Sequence, residues 1–451
     1  MLYKNQTVDL AVTSMTFEGL GVARYTDSDL QNFVVFVQGT ATGDVAECTI
    51  LKTEKHYAYA AVKRLKTASP FRLSGFCSAQ GKCGGCAFGH VSYEHELAVK
   101  KAFVEQEFRK NFTGNTCPVE EVVPSPQETG YRNKIALPIS PDGTCCFYAK
   151  RSHRPVRIPD CRLNDPAFLP VIRALEQVLT MEKIPIYNEK TNRGILRYLV
   201  LRRAHVTGEI MAVLVVTTDA FPQKDALIRA LSAVPDVRSV YLNINEKRTN
   251  VILGTKCVLQ FGKEKISDTL CGLSFEISPL SFYQINSPQA EAIYAAARDG
   301  LQLRKNDVLL DLCCGIGTIG LSMAKQVRSV LGIEIVPEAI ADAQENAARN
   351  GIRNAVFRVA DASQVLKIAN EKPTALVVDP PRKGLDEATV RAILELSPQR
   401  IAYISCNPST LSRDAERLSG RYQIARIQPF DMFPRTAHVE TVCLFSIRNA
   451  D

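Results

Sequence analysis

No apolar run in this chain approaches the roughly 18 residues that a membrane-spanning helix needs. The opening residues, Met1-Leu2-Tyr3-Lys4-Asn5-Gln6, hold no apolar core of an export signal. These absences argue against a membrane protein and set the expectation of a cytoplasmic monomer without a membrane partner. Internal repeats and low-complexity tracts are also missing, so neither a solenoid nor a disordered scaffold is expected. Without an export signal, the fourteen cysteines are not expected to form a disulfide framework. They are expected to divide into buried thiols, metal or cluster ligands, and a nucleophile.

What is present describes an ordinary folded protein of two or three domains: 451 residues, 46% hydrophobic and 23% charged. The formal charge of +8 is unevenly spread. Lys plus Arg against Asp plus Glu stands at 7 and 7 for residues 1–66, 13 and 10 for 67–165, 15 and 10 for 166–270, and 20 and 20 for 271–451. A basic middle between neutral flanks suggests a polyanion partner. Lys150, Arg151, Arg154, Arg157, Arg193, Arg197, Arg202 and Arg203 are its candidate backbone contacts as a group.

Residues 1–66 read as short strands at 8–12, 21–25, 33–37, 44–51 and 58–65, separated by turn residues such as Glu18-Gly19. So many strands in so short a span predict an OB-like β-barrel. Residues 67–280 predict an α+β central domain, with helices at 94–109 and 225–232 and strands at 199–204, 210–217, 240–244 and 250–252. Residues 281–451 alternate regularly, with strands at 308–312, 329–334, 355–359, 375–378 and 401–405. Two further strands, at 423–430 and 441–447, have little between them. The pattern predicts a Rossmann-like doubly wound α/β sheet closed by an antiparallel pair.

The first of these strands runs from Val308 through Asp311 into Cys313-Cys314-Gly315-Ile316-Gly317-Thr318-Ile319-Gly320. Glycines there let the backbone approach a ligand at a helix start, and Glu334 ends the next strand where a carboxylate can accept two ribose hydroxyls. Spacing alone admits a dinucleotide such as NAD. Asp311 beside the loop, able to meet a cationic amino-acid moiety, favours S-adenosylmethionine. Two later strands end in Asp379-Pro380-Pro381-Arg382 and Ser405-Cys406-Asn407-Pro408. A thiol and a carboxylate at carboxyl ends of strands suggest covalent catalysis beside the cofactor; a small buried core thiol is the competing reading. Arg382 and Lys383 can hold phosphate or base oxygens.

Cys77, Cys83 and Cys86 form C-x5-C-x2-C within a glycine-rich stretch, and Cys161 in Ile158-Pro159-Asp160-Cys161-Arg162 is the best fourth ligand. Spacing does not separate zinc from an iron–sulfur cluster.

Taken together, the barrel, the four-cysteine pattern, Ser281-Phe282-Tyr283-Gln284-Ile285-Asn286, the two strand-end motifs and His438-Val439-Glu440-Thr441 resemble the RNA uridine-C5 methyltransferases. The likeness is strongest to the branch that modifies 23S ribosomal RNA, and it spans nearly the whole chain. It implies a TRAM-type barrel and a class I methyltransferase domain. A [4Fe-4S] cluster would sit on Cys77, Cys83, Cys86 and Cys161. S-adenosylmethionine would be held by Gln284, Gly315, Gly317, Glu334, Asp361 and Asp379, with Cys406 as nucleophile and Glu440 as base. Cys313 and Thr318 depart from the residues many relatives carry, an aromatic and an asparagine.

Overall fold

Alternation of inward and outward side chains builds the first unit. Strands β1 (Thr7–Met15), β2 (Gly21–Tyr25), β3 (Phe33–Gln38), β4 (Val45–Thr53) and β5 (Tyr57–Thr67) close into a barrel in the order β1-β2-β3-β5-β4. Leu10, Ala23, Val35, Val37, Ala46, Cys48, Ile50, Ala58 and Ala60 point inward and are buried, as a period of two requires. The computed structural model describes residues 2–114, 117–158 and 160–448. Met1 of the opening segment and Pro159 of the Cys161 loop lie outside the described residues.

Helix α1 (Tyr93–Asn111) follows, capped by Ser92, whose hydroxyl accepts from the His95 amide at 3.3 Å. The central part comprises β6 (Lys134–Pro138), β7 (Cys146–Tyr148), β8 (Pro155–Arg157), α2 (Phe168–Glu182), β9 (Leu196–Arg203), β10 (Ile210–Val216), α3 (Lys224–Ser232), β11 (Val237–Ile244) and β12 (Lys256–Gly262). Its main sheet runs β12-β11-β10-β9-β6. Every residue of β10 is buried because both faces are covered. Leu175, Leu179, Leu227 and Leu231 of α2 and α3 pack on one face. The hairpin β13 (Ile266–Leu270) and β14 (Leu273–Ile277), with helix α4 (Ser287–Leu301), packs on the other.

The strand expected at 250–252 is a loop instead, and the chain re-enters the sheet at β12. The Asn245 side-chain amide donates to the carbonyls of Val251 and Ile252, at 2.8 and 2.9 Å, and the Gly254 amide donates to Asn243 Oδ1 at 2.7 Å. Side chains satisfy this backbone, so no partner strand is needed.

The C-terminal part contains β15 (Val308–Leu312), α5 (Thr318–Met323), β16 (Ser329–Glu334), α6 (Pro337–Arg349), β17 (Ala355–Val359), α7 (Val365–Ile368), β18 (Ala375–Val378), α8 (Glu387–Leu396), β19 (Arg400–Ser405), α9 (Pro408–Leu418), β20 (Tyr422–Phe430) and β21 (Glu440–Ile447). One seven-stranded sheet runs β17-β16-β15-β18-β19-β21-β20, parallel except at β21 and β20. The fold is therefore a closed barrel, an α+β centre and a doubly wound α/β sheet, as expected. Among the described residues no helix is long and apolar enough to cross a membrane.

Helix α1 and residues 117–123 bind to this last sheet. Val119 and Val123 bridge to Ile427 and Phe430 on edge strand β20, covering backbone groups that an open edge would expose. From α1, Lys100 is fully buried and donates to Glu96 Oε1 at 2.6 Å, Asp431 Oδ1 at 2.7 Å and the Phe433 carbonyl at 3.3 Å. Lys100→Met should destabilise the protein by about 3–5 kcal/mol, because it leaves buried carboxylates without their cation. The midpoint of urea unfolding measures this, and an unchanged midpoint would remove the network from the list of stabilising features.

Candidate active site

Parallel strands present their carboxyl ends on one rim, and the expected residues stand there. Cys313 and Gly315 follow β15, Glu334 ends β16, Asp361 follows β17, Asp379 follows β18 and Cys406 follows β19. Strand β21 is antiparallel, so its first residue, Glu440, reaches the same rim. The pairing of Ser405 with Thr441 then sets Cys406 opposite Glu440. Gln284, Gly315, Glu334, Asp361, Asp379, Cys406 and Glu440 all line one cavity of about 700 Å³. Gly317 stands outside that lining. It begins α5 at φ 83°, with the Phe357 ring 3.0 Å from where a Cβ would lie, and so shapes the turn.

The loop is tied to the acids around it. The Gly315 amide donates to Glu334 Oε2 at 3.2 Å, while Glu334 Oε1 accepts from the Ile335 and Val336 amides at 2.8 and 3.1 Å. The carboxylate is held still with lone pairs to spare, as a ribose-binding acid must be. Asp311 Oδ2 accepts from the Gly320 amide at 2.8 Å, and Oδ1 is buried without a partner. A side chain at position 320 would sit 2.7 Å from that carboxylate, so glycine permits the approach.

Burial dominates the electrostatics. It pushes Asp311 up to about 8, helped by Asp379 and Glu334, and Asp379 up to about 7. Glu440 is pushed up to about 8 by burial and by Asp379, against the pull of Arg382. The Cys406 thiol rises to about 11 through burial, Glu440 and Asp379, and Arg382 again opposes the rise. Arg382 contacts His438 Nε2 at 3.4 Å. Burial and the nearby cations Arg382, Lys100 and Arg132 push His438 down to about 4, so at neutral pH it meets Arg382 uncharged. Helix α9 starts directly after Cys406, with Asn407 as its cap accepting from the Ser409 amide at 3.2 Å. A helix start favours a thiolate.

These raised acids carry a sign for stability. The folded chain keeps protons on Asp311, Asp379 and Glu440 at pH values where the unfolded chain has released them. Stability must therefore fall as pH rises from the ordinary carboxylate range toward about 8. A cation placed among the acids should recover it. Urea midpoints at pH 5.5 and 8 should differ in that direction, and the gap should narrow with S-adenosylmethionine; a flat profile would contradict the burial argument.

A second cavity, of about 420 Å³, shares Cys406 and Arg382 with the first. Its other walls are Phe17 and Glu18 of the barrel, the stretch from Gly84 to Ala87, Lys150 and Arg151, Asn407, and the stretch from Thr436 to His438. No sequence signal placed the barrel at the active site. Of the basic candidates, Lys150 and Arg151 reach this cavity, and Arg154, Arg157 and Arg193 are exposed. Arg197 is instead buried, donating to the carbonyls of Asn245 and Lys247, and Arg202 donates to the Ser281 carbonyl at 2.6 Å. Arg203 pairs with Asp165 at 2.8 Å. Arg197 and Arg202 support the fold and are withdrawn from any outer phosphate surface, while Arg203 is half-buried.

Cys77, Cys83, Cys86 and Cys161 are half-buried, free of disulfides and gathered beside Phe76, Leu163 and Val156. The Ala79 and Gly85 amides point to the sulfurs of Cys77 and Cys83, at 3.4 and 3.3 Å. They do not form a closed shell: among the described residues no group of three or more His, Cys, Asp or Glu is arranged to hold a metal ion. The expected cluster thus has its donors assembled but no coordination geometry.

Comparison with known proteins decides the family. The model for tRNA (Uracil-5-)-methyltransferase matches residues 245–448, and that for the TRAM domain matches residues 2–63. An uncharacterized RNA methyltransferase of Staphylococcus aureus strain MRSA252 is 38% identical over 453 residues, covering 99% of each chain. The chain belongs to the RNA uracil-5-methyltransferase family. A second member, an uncharacterized RNA methyltransferase of Bacillus cereus, is 37% identical and covers 98% of this methyltransferase. The crystal structure of the Pyrococcus abyssi tRNA (uracil-54, C5)-methyltransferase, a complex with S-adenosyl-L-homocysteine, superposes with a TM-score of 0.78 at 28% identity. It covers 97% of this chain and all of its own. That likeness spans the barrel and the centre as well as the last sheet, so the fold alone does not separate ribosomal-RNA from tRNA substrates.

Proposed function

We propose that this protein methylates C5 of a uridine in 23S ribosomal RNA, with Cys406 as nucleophile and Glu440 as base. The opposition of Cys406 and Glu440 across the β19–β21 register, inside the cavity that also holds the cofactor loop, carries this reading. Bound S-adenosylmethionine supplies an electrophilic methyl group; Gln284, Gly315, Glu334, Asp361 and Asp379 are the residues to hold it. The Cys406 thiolate would add to C6 of the uracil, and the electron pair displaced onto C5 would take up the methyl group as its bond to the sulfonium sulfur breaks and S-adenosylhomocysteine leaves. Glu440 then removes the C5 proton, which re-forms the ring double bond and expels the thiolate. Arg382 faces the thiol and stabilises its anion. A base inside a duplex cannot reach Cys406, so the target is single-stranded or flipped out.

Residue for residue, the ribosomal substrate rests on the resemblance in the motifs. A second substrate, tRNA, is favoured by the whole-chain likeness to the Pyrococcus abyssi enzyme. Mass spectrometry of 23S rRNA and tRNA from cells lacking the gene discriminates them. A 5-methyluridine missing from 23S rRNA supports the first reading and one missing from tRNA the second, while a full complement in both defeats the assigned reaction.

The four motif cysteines are proposed to hold a [4Fe-4S] cluster outside the reaction path. Their all-thiol character and amide-to-sulfur contacts support this. Protein isolated without oxygen should contain iron and acid-labile sulfide, and its absence would leave them as plain thiols.

A further inference from the structure

The barrel carries an aromatic surface that the reaction does not use. On β3 and β5 the inward residues Val35, Val37, Ala58 and Ala60 fill the barrel, which turns Phe36, Tyr57 and Tyr59 outward. The parallel register sets Phe36 beside Tyr59. Ring centroids lie 5.6 Å apart for Phe36 and Tyr57, 5.7 Å for Phe36 and Tyr59, and 5.6 Å for the two tyrosines.

This surface is neither sealed nor remote. Phe36 and Tyr59 form one wall of a groove of about 620 Å³, and Val99, Phe103 and Gln106 of α1 form the other. That volume falls within the roughly 300–1,000 Å³ that takes up a flat small ligand. Phe17 and Glu18 line this groove and also the cavity that contains Cys406 and Arg382. Phe17, stacked on Phe103 of α1 with ring centroids 4.0 Å apart, and Glu18 stand between the groove and the nucleophile's cavity. The charge differs between the two. The groove's lining is apolar and neutral-polar apart from Glu18, which lies 3.6 Å from Arg151, whereas Lys150 and Arg151 stand in the next cavity. Cations suit phosphates and neutral aromatic walls suit bases.

We infer that the groove between the barrel and α1 binds an unpaired nucleotide flanking the target uridine, its base stacked on Phe36 and Tyr59. The inference rests on RNA as substrate. Each stacked base lost should cost roughly 5- to 150-fold in affinity. The test uses the full chain and total RNA from cells lacking the gene. Phe36→Leu with Tyr59→Leu keeps apolar bulk but removes the ring faces; it should raise the KM for RNA by that factor and leave kcat and the KM for S-adenosylmethionine in place. Tyr59→Phe should restore the KM toward the parent value when Phe36 is intact. Ultraviolet crosslinking of the parent protein should attach RNA to the peptide containing Tyr57 and Tyr59, a readout independent of turnover and of any loss of stability in the variants. An unchanged KM, or a crosslink map without that peptide, overturns the groove while leaving the methyl transfer intact. A parent protein that transfers no methyl to this RNA overturns the reading beneath it, and the groove with it.

Discussion

The Cys406→Ala protein is expected to lose methyl transfer by on the order of 10⁴-fold or more, while still binding RNA and S-adenosylmethionine. On the proposed mechanism the thiol forms the bond that makes C5 electron-rich, and no neighbouring group replaces it: Glu440 and Asp379 are harder nucleophiles, the first largely and the second about half protonated near neutral pH. Serine should rescue little, because a hydroxyl ionises far less readily than even this raised thiol. In the free protein the thiol is held up at about 11. A cationic donor in the shared cavity lowers it, so thiol alkylation should speed up when S-adenosylmethionine is added. Single-turnover transfer of labelled methyl, with RNA binding measured in parallel, reads the effect. Transfer within about tenfold of the parent, a barrier change of ~1.4 kcal/mol, would mean that a different group attacks C6.

Glu440→Gln should slow turnover by roughly 10²- to 10⁴-fold and, unlike the cysteine change, should trap the reaction. Addition and methyl transfer precede the step that needs the base, so the methylated RNA should remain bonded to Cys406. A denaturing gel would show a labelled protein–RNA adduct that forms faster than product. The pH profile gives the sign independently. Glu440 sits at about 8 in the free protein and would serve as the proposed base only once ionised, so parent kcat should climb with pH through 7 and 8. The glutamine protein should lose that limb. Normal turnover without an adduct would reassign the proton acceptor.

Much of this was legible in the chain itself, and the reason is local. Strands β15 to β19 are short, predominantly apolar segments bounded by turn residues, so their ends could be read within one residue, and strand ends are where Glu334, Asp379 and Cys406 stand. Spacing showed less where side chains satisfy the backbone, as Asn243 and Asn245 do beyond β11. It also misjudged charge. Arg197 and Arg202 look like surface cations in sequence, yet each is buried against backbone carbonyls. Long-range meetings left no trace: nothing near residue 17 announces Cys406, and nothing in α1 announces Asp431.

That last meeting has a consequence for how members of this family can be recombined. Lys100, Val119 and Val123 come from the middle of the chain, yet they seal β20 and the bend leading to His438 and Glu440. A chimera joined at residue 280 would pair one parent's helix with another parent's catalytic edge. Wherever the parents differ at those contacts, the graft would leave a buried carboxylate without its cation. The segment that carries Lys100, Val119 and Val123 has to travel with the catalytic half.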